Sequence, residues 1–161
     1  MKAVLGALAF MHQSSDNQLV LNNIFPYGSI DLYIFCDGSG GSNNDNGGWG
    51  FCVQSRFGKI IYEDFGAPDG LSTNNISEYR SVIAALEWAK GKTAGCITIK
   101  TDSKLVVEQV LGRWKCKKPH LQPLWTRTKE LIVEVDAIIM WIPREENKRA
   151  DELSREWQNH G

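Results

Sequence analysis

Four carboxylates stand at the ends of regular elements. Asp37 closes an apolar run of strand length, Ile30-Asp31-Leu32-Tyr33-Ile34-Phe35-Cys36. Glu78 falls in the first turn of a helical stretch, Asp102 follows a second strand-like run (Gly95 to Thr101), and Asp151 falls in the first turn of a C-terminal helical stretch. Carboxylates forced together repel, and one takes up a proton unless a cation neutralises the group. Divalent metal is the physical alternative, and two Mg²⁺ ions balance four carboxylates. Mg²⁺ takes few protein oxygens and completes its shell with water and substrate phosphate. Two such ions about 4 Å apart stabilise both the attacking and the leaving oxygen of a phosphoryl displacement. The four acids therefore predict a metal-dependent phosphodiesterase, with two Mg²⁺ ions as the expected cofactor and Mn²⁺ as the alternative.

Each acid also has a local structural use. Asn75-x-x-Glu78 has capping-box spacing, which turns a carboxylate onto backbone N–H groups. Asp102, just before Ser103, can cap a helix, and Asp151 in a first turn suits the helix dipole. Asp37-Gly38 is a common turn pair. Taken together, these local uses require four coincidences at one edge of the fold.

The elements that must position the acids follow from periodicity. Ile30 to Cys36, Gly48 to Gln54 and Lys59 to Phe65 read as three strands. Only Ser55-Arg56-Phe57-Gly58 separates the second from the third, which predicts an antiparallel hairpin. Ile76, Tyr79, Ile83 and Leu86 mark the buried face of a helix, with Asn74 or Asn75 as its cap. Gly95 to Thr101 is a fourth strand, Ser103 to Leu111 a short helix stopped by Gly112, and Leu121 to Val133 a further helix. Ala137 to Ile142 is a fifth strand ended by Pro143, and Asn147 caps a last helix through Trp157. The order βββαβααβα predicts an α/β fold: one five-stranded mixed sheet, three strands antiparallel and two parallel, flanked by helices. If the first and fourth strands are parallel neighbours, Asp37 and Asp102 emerge side by side at the edge where ligands bind in open α/β sheets.

The 161 residues give one domain as the prior, and 42% hydrophobic with 23% charged residues excludes disorder, collagen and coiled coil. The net charge of −1 does not by itself announce a nucleic-acid partner. Residues 1–29 carry only Lys2 and Asp16 as charges and read as an N-terminal extension of unknown role; residues 30–161 form the expected catalytic domain. The longest apolar run, Ala3 to Met11, is nine residues, whereas a membrane span needs about 20. With Lys2 it faintly resembles a signal peptide, but no A-x-A site follows it before Gln13 to Asn17, so a cytoplasmic location is expected. Cys36, Cys52, Cys96 and Cys116 show neither CxxC nor zinc spacing and are expected as reduced thiols. Cys36 and Cys52 could face each other on neighbouring strands.

Five ordered blocks carry a resemblance. Asp37-Gly38-Ser39, Gly47-Gly48-Trp49-Gly50, Thr73-Asn74-Asn75-x-x-Glu78, Thr101-Asp102-Ser103 and Asn147-x-x-Ala150-Asp151-x-Leu153 resemble type 1 ribonuclease H, over about residues 30–158. The resemblance implies the ribonuclease H-like fold and hydrolysis of the RNA strand of RNA–DNA hybrids, leaving 5′-phosphate and 3′-hydroxyl ends. It implies that Asp37 bridges two metals, that Glu78 and Asp102 bind one of them, and that Asp151 binds the other. It also implies a DNA-strand phosphate contact at Thr73, and minor-groove and 2′-hydroxyl contacts at Asn43, Asn74 and Asn75. Gly38, Ser39, Ser103 and Lys104 complete the substrate contacts it implies around the acids. An amide both donates and accepts, as does the 2′-hydroxyl that distinguishes RNA from DNA.

The sequence departs from the family in places. Several members carry a histidine before the last carboxylate, whereas this loop reads Pro143-Arg144-Glu145-Glu146-Asn147-Lys148, leaving Glu145 or Glu146 as candidates for a related role. Leu71 and Lys104 stand where polar contacts often occur. Gln109 to Lys129 holds no acid but six cations, including Lys117 and Lys118, among Trp114, His120 and Trp125. Such a mixture suits a nucleic-acid backbone. The run Arg113 to His120 is too short for the extra basic helix of some members, so a compact basic loop is expected. An RNA–DNA hybrid is the expected partner; no membrane is expected, and no protein partner is indicated. A DNA nuclease or resolvase-like enzyme, or a non-catalytic hybrid-binding module on the same fold, are the alternatives.

Overall fold

A computed structural model describes residues 30–40, 47–67, 70, 72–92 and 94–160. The N-terminal extension, Asn43 and Leu71 lie outside the described residues. Among these, five strands form one sheet in the order β3-β2-β1-β4-β5: β1 (Leu32–Ser39), β2 (Gly48–Ser55), β3 (Ile60–Gly66), β4 (Ile97–Thr101) and β5 (Ala137–Trp141). β1 pairs antiparallel with β2, and β2 with β3. β4 pairs parallel with both β1 and β5. The helices are α1 (Asn74–Ala89), α2 (Lys104–Val110), α3 (Gln122–Val135) and α4 (Lys148–Glu156), with a 3₁₀ turn at Arg144–Glu146. The expected mixed sheet and element order are observed.

β1 runs farther than its apolar segment. Asp37, Gly38 and Ser39 pair with Gly50, Trp49 and Gly48 of β2, so Asp37-Gly38 is strand and not turn. The parallel ladder with β4 stops at Cys36 opposite Thr101. Asp37 and Asp102 are therefore the first residues past that ladder, side by side as expected.

Successive strand residues face opposite sides of a sheet, and two glycines show what covers each side. A Cβ on Gly38 would lie 2.2 Å from the backbone of Ser77 and Glu78 in α1; one on Gly50 would lie 2.6 Å from Leu153 in α4. Only hydrogen at these positions lets the two helices close onto opposite faces around Asp37. The core between the sheet and α1 is apolar, built on Leu32, Ile34, Phe51, Ile99, Tyr79, Val82 and Leu86. Cys36 stands opposite Phe51 and Cys52 opposite Phe35, so the two thiols point to opposite faces; all four cysteines are free.

Two helix starts differ from the sequence reading. The cap of α1 is Thr73, whose side chain accepts from Ile76 N, not Asn74 or Asn75. Ser103, not Asp102, caps α2 through Val106 N. A hydroxyl at each position frees the neighbouring amide or acid for other work. Gly112, at φ +76°, terminates α2 as expected. Among the described residues no helix is long and apolar enough to cross a membrane.

Candidate active site

Asp37, Glu78 and Asp102 converge. One carboxylate oxygen from each lies within 4.8 Å of the others, with Asp37 and Glu78 buried. They open into a cleft of about 610 Å³ that is also lined by Gly38, Ser39, Asn74, Asn75, Ser103, Lys104 and Asp151.

Long-range hydrogen bonds aim each acid. Ser154 Oγ of α4 donates to Asp37 Oδ2 at 3.0 Å. Gly38 N–H donates to Glu78 Oε2 at 3.2 Å. Glu78 is the fifth residue of α1, one turn beyond the cap, so its carboxylate faces β1 and not the helix N–H groups. Asn147 Nδ2 donates to Asp102 Oδ1 at 2.9 Å and to the Cys36 carbonyl at 2.8 Å. That amide makes no side-chain cap for α4; it ties the helix start to β1 and to the acid beyond β4. Trp141 Nε1 donates to the Asp102 carbonyl at 3.1 Å.

The electrostatics are those of crowded acids. Burial first, then the charge of Asp102, pushes Asp37 up to about 7, against the Ser154 hydrogen bond. Glu78 is raised by burial, then by Asp37 and Asp102, against the Gly38 N–H and the positive charge of Arg144. Raised carboxylates in a cleft mark a place where a cation is favoured. The hard oxygen donors suit Mg²⁺ or Mn²⁺ rather than a soft metal.

Asp151 lines the same cleft but stands apart from the triad. Its Oδ1 accepts from Arg155 Nη2 at 2.7 Å, with Arg144 Nη2 at 3.6 Å. Arg144, Arg155, Ser154 and Asn147 were not singled out as site residues from sequence. Of the loop before α4, Arg144 reaches the cleft, while Glu145 and Glu146 are not among its lining residues. The expectation of a role for Glu145 or Glu146 there is replaced by Arg144.

The proposed substrate contacts divide. Gly38, Ser39, Asn74, Asn75, Ser103 and Lys104 line the cleft; Thr73, Lys117 and Lys118 do not. Ser39 Oγ is already engaged, donating to the Ser154 carbonyl and accepting from Gly48 N. Asn74, which lines the cleft, accepts from Gly40 N through its Oδ1. Lys117 and Lys118 are exposed on the loop between α2 and α3, which contains no helix.

A family model described as reverse transcriptase-like matches residues 35–157. This chain belongs to the reverse transcriptase-like ribonuclease H family. A protein of Mycobacterium tuberculosis named as bifunctional is 36% identical over 128 residues, 79% of this chain and 35% of its own length. The chain thus spans about a third of the mycobacterial relatives it matches. The solved ribonuclease H1 of the archaeon Halobacterium salinarum is 33% identical with a TM-score of 0.73, covering 83% of this chain and 100% of that one. A ribonuclease H1 termed LC11, solved with an RNA/DNA hybrid, is 30% identical with a TM-score of 0.71, over 78% and 94% of the two chains.

Proposed function

We propose that this ribonuclease H domain hydrolyses the RNA strand of RNA–DNA hybrids, with divalent ions held by Asp37, Glu78, Asp102 and Asp151. The observation that carries the reading is the convergence of Asp37, Glu78 and Asp102 within 4.8 Å, two of them buried. The solved relative bound to an RNA/DNA hybrid supports the substrate class. Two Mg²⁺ ions, or Mn²⁺ in their place, are the proposed cofactor. When bound, the ions supply charge neutralisation at the phosphate and a more acidic water.

The rest falls to the chain. Ser154, Asn147 and the Gly38 N–H hold three carboxylates in one orientation, so little reorganisation accompanies ion binding. Asn74 and Asn75 offer amides to the minor groove, and Thr73 a hydroxyl to phosphate. The role of Asn43 as a further groove contact follows from the family resemblance alone. Ser103 and Lys104 sit beside Asp102, where Lys104 offers a cation to the backbone. Lys117 and Lys118 grip phosphates farther along the duplex. Water attack on phosphorus breaks the P–O3′ bond, leaving a 5′-phosphate and a 3′-hydroxyl. Residues 30–161 are the proposed catalytic unit, and the free thiols suit a reducing, cytoplasmic setting.

The test is a panel of end-labelled substrates with Mg²⁺: RNA–DNA hybrid, duplex DNA and duplex RNA of one sequence. Cleavage confined to the RNA strand of the hybrid, with those ends, is the expected result. Equal cleavage of duplex DNA supports the resolvase-like alternative, and binding without cleavage supports the non-catalytic one.

A further inference from the structure

A buried amide outside the cleft lining joins the helix that carries Glu78 to the basic loop and to α3. Gln109, near the end of α2, is buried. Its Oε1 accepts from Tyr79 Oη at 2.7 Å, and Tyr79 is fully buried one residue after Glu78 in α1. Its Nε2 donates to the Lys115 carbonyl at 3.4 Å, in the basic loop. Its own carbonyl accepts from Trp125 Nε1 of α3 at 2.9 Å.

We propose that Gln109 is a positioning residue for substrate grip, fixing the basic loop and its lysines relative to the helix that carries Glu78. The inference rests on the reading of Lys117 and Lys118 as phosphate contacts. The loop has no helix to define its path, yet its backbone is held at successive points. Glu108 O accepts from Arg113 N and Trp114 N, and the Glu108 carboxylate pairs with Arg113 at 3.0 Å. Gln109 holds the Lys115 carbonyl, and Gln122 Nε2 holds the Cys116 carbonyl at 3.2 Å. Cys116 is buried between exposed Lys115 and Lys117, which turns the lysines outward. A duplex is stiff, so cations on a fixed loop meet its phosphates without first being ordered. Only a side chain that both accepts and donates joins the Tyr79 hydroxyl to a carbonyl. An apolar replacement leaves the buried Tyr79 hydroxyl unpartnered and releases the Lys115 carbonyl.

A purely structural role for Gln109 predicts lost stability with unchanged grip. The test measures hybrid Kd against salt, together with kcat and KM, in Gln109→Leu, Gln122→Ala and Lys117→Ala/Lys118→Ala, alone and combined. Gln122 is exposed, so its variant keeps the test open even if Gln109→Leu fails to fold. The expected result is KM and Kd raised about fivefold in Gln109→Leu and less in Gln122→Ala, with kcat within about twofold and a shallower salt slope. Added to the lysine variant, either glutamine change has little further effect. If the lysine variant weakens binding while the glutamine variants leave Kd and slope unchanged, or act additively, the positioning role is overturned and the loop reading stands. If the lysine variant itself leaves binding unchanged, both are overturned, while hybrid cleavage by the intact protein keeps the nuclease reading.

Discussion

Asp37 is held in a conflict that a bound cation would resolve. Its carboxyl is raised from 3.8 to about 7 by burial and by Asp102. A carboxyl with a raised folded value binds its proton more tightly when folded than when unfolded. The site therefore favours the fold most at low pH, and that contribution is lost as pH rises from about 4 to about 7. Without metal, the thermal midpoint of Asp37→Asn should fall less over this window than that of the unaltered protein, and should exceed it near neutral pH. Parallel profiles for the two proteins would contradict the crowding described here. Added Mg²⁺ should raise the neutral-pH midpoint of the unaltered protein and not that of Asp37→Asn. Asn147 acts on the same cluster. Loss of its two hydrogen bonds, the one to the Cys36 carbonyl buried, should in Asn147→Ala cost about 1–3 kcal/mol and raise the Mg²⁺ concentration for half-maximal rate, read by denaturant titration and by rate against Mg²⁺.

At the scale of elements, the site is where α1 and α4 close on opposite faces of β1 and β2. Gly50 sets the approach of α4, the helix that carries both Asp151 and Ser154. Gly50→Ala should displace α4, lower the thermal midpoint by several degrees (about 1–3 kcal/mol of overpacking) and reduce kcat more than hybrid affinity. An unchanged midpoint and kcat would show that α4 has slack at this contact. Element order was legible because hydrophobic periodicity is local: the Ile76-Tyr79-Ile83-Leu86 face and the stop at Gly112 follow from near neighbours. The triad was legible too, since strand adjacency brings Asp37 beside Asp102. What escaped was settled by distant partners. Asp37-Gly38 reads as a turn until Trp49 and Gly50 supply a ladder. Glu78 has capping spacing but meets Gly38, 40 residues away. Asn147 reads as a cap, yet its amide reaches Cys36, 111 residues away. Nothing local told Arg144 from Glu145 as the side chain that turns into the cleft.

Over the whole molecule, a net charge of −1 conceals an uneven distribution. The six cations between Gln109 and Lys129 are not equivalent. Arg127 is tied to Glu87, Glu130 and Glu134, and Arg113 to Glu108. Lys129 lies 3.5 Å over the Trp125 ring. Lys117 and Lys118, exposed on the loop, pair with no acid among the described residues. Replacing both by Ala should flatten the salt dependence of hybrid binding by about two in log–log slope, one for each lost phosphate contact, while Arg127→Ala leaves the slope unchanged. Equal effects would mean that the loop acts as diffuse charge. The proposed cleavage would draw on acids from β1, α1, α4 and the segment after β4, so it would report on the whole arrangement. The most direct measurement is the single-turnover rate of RNA-strand cleavage in a defined hybrid, with Mg²⁺ and with chelator, for the unaltered protein and for folded Asp37→Asn. The expected result is Mg²⁺-dependent cleavage that falls at least about a thousandfold in Asp37→Asn, equivalent to about 4 kcal/mol of barrier. Cleavage that survives chelation, or that survives in Asp37→Asn, would contradict it.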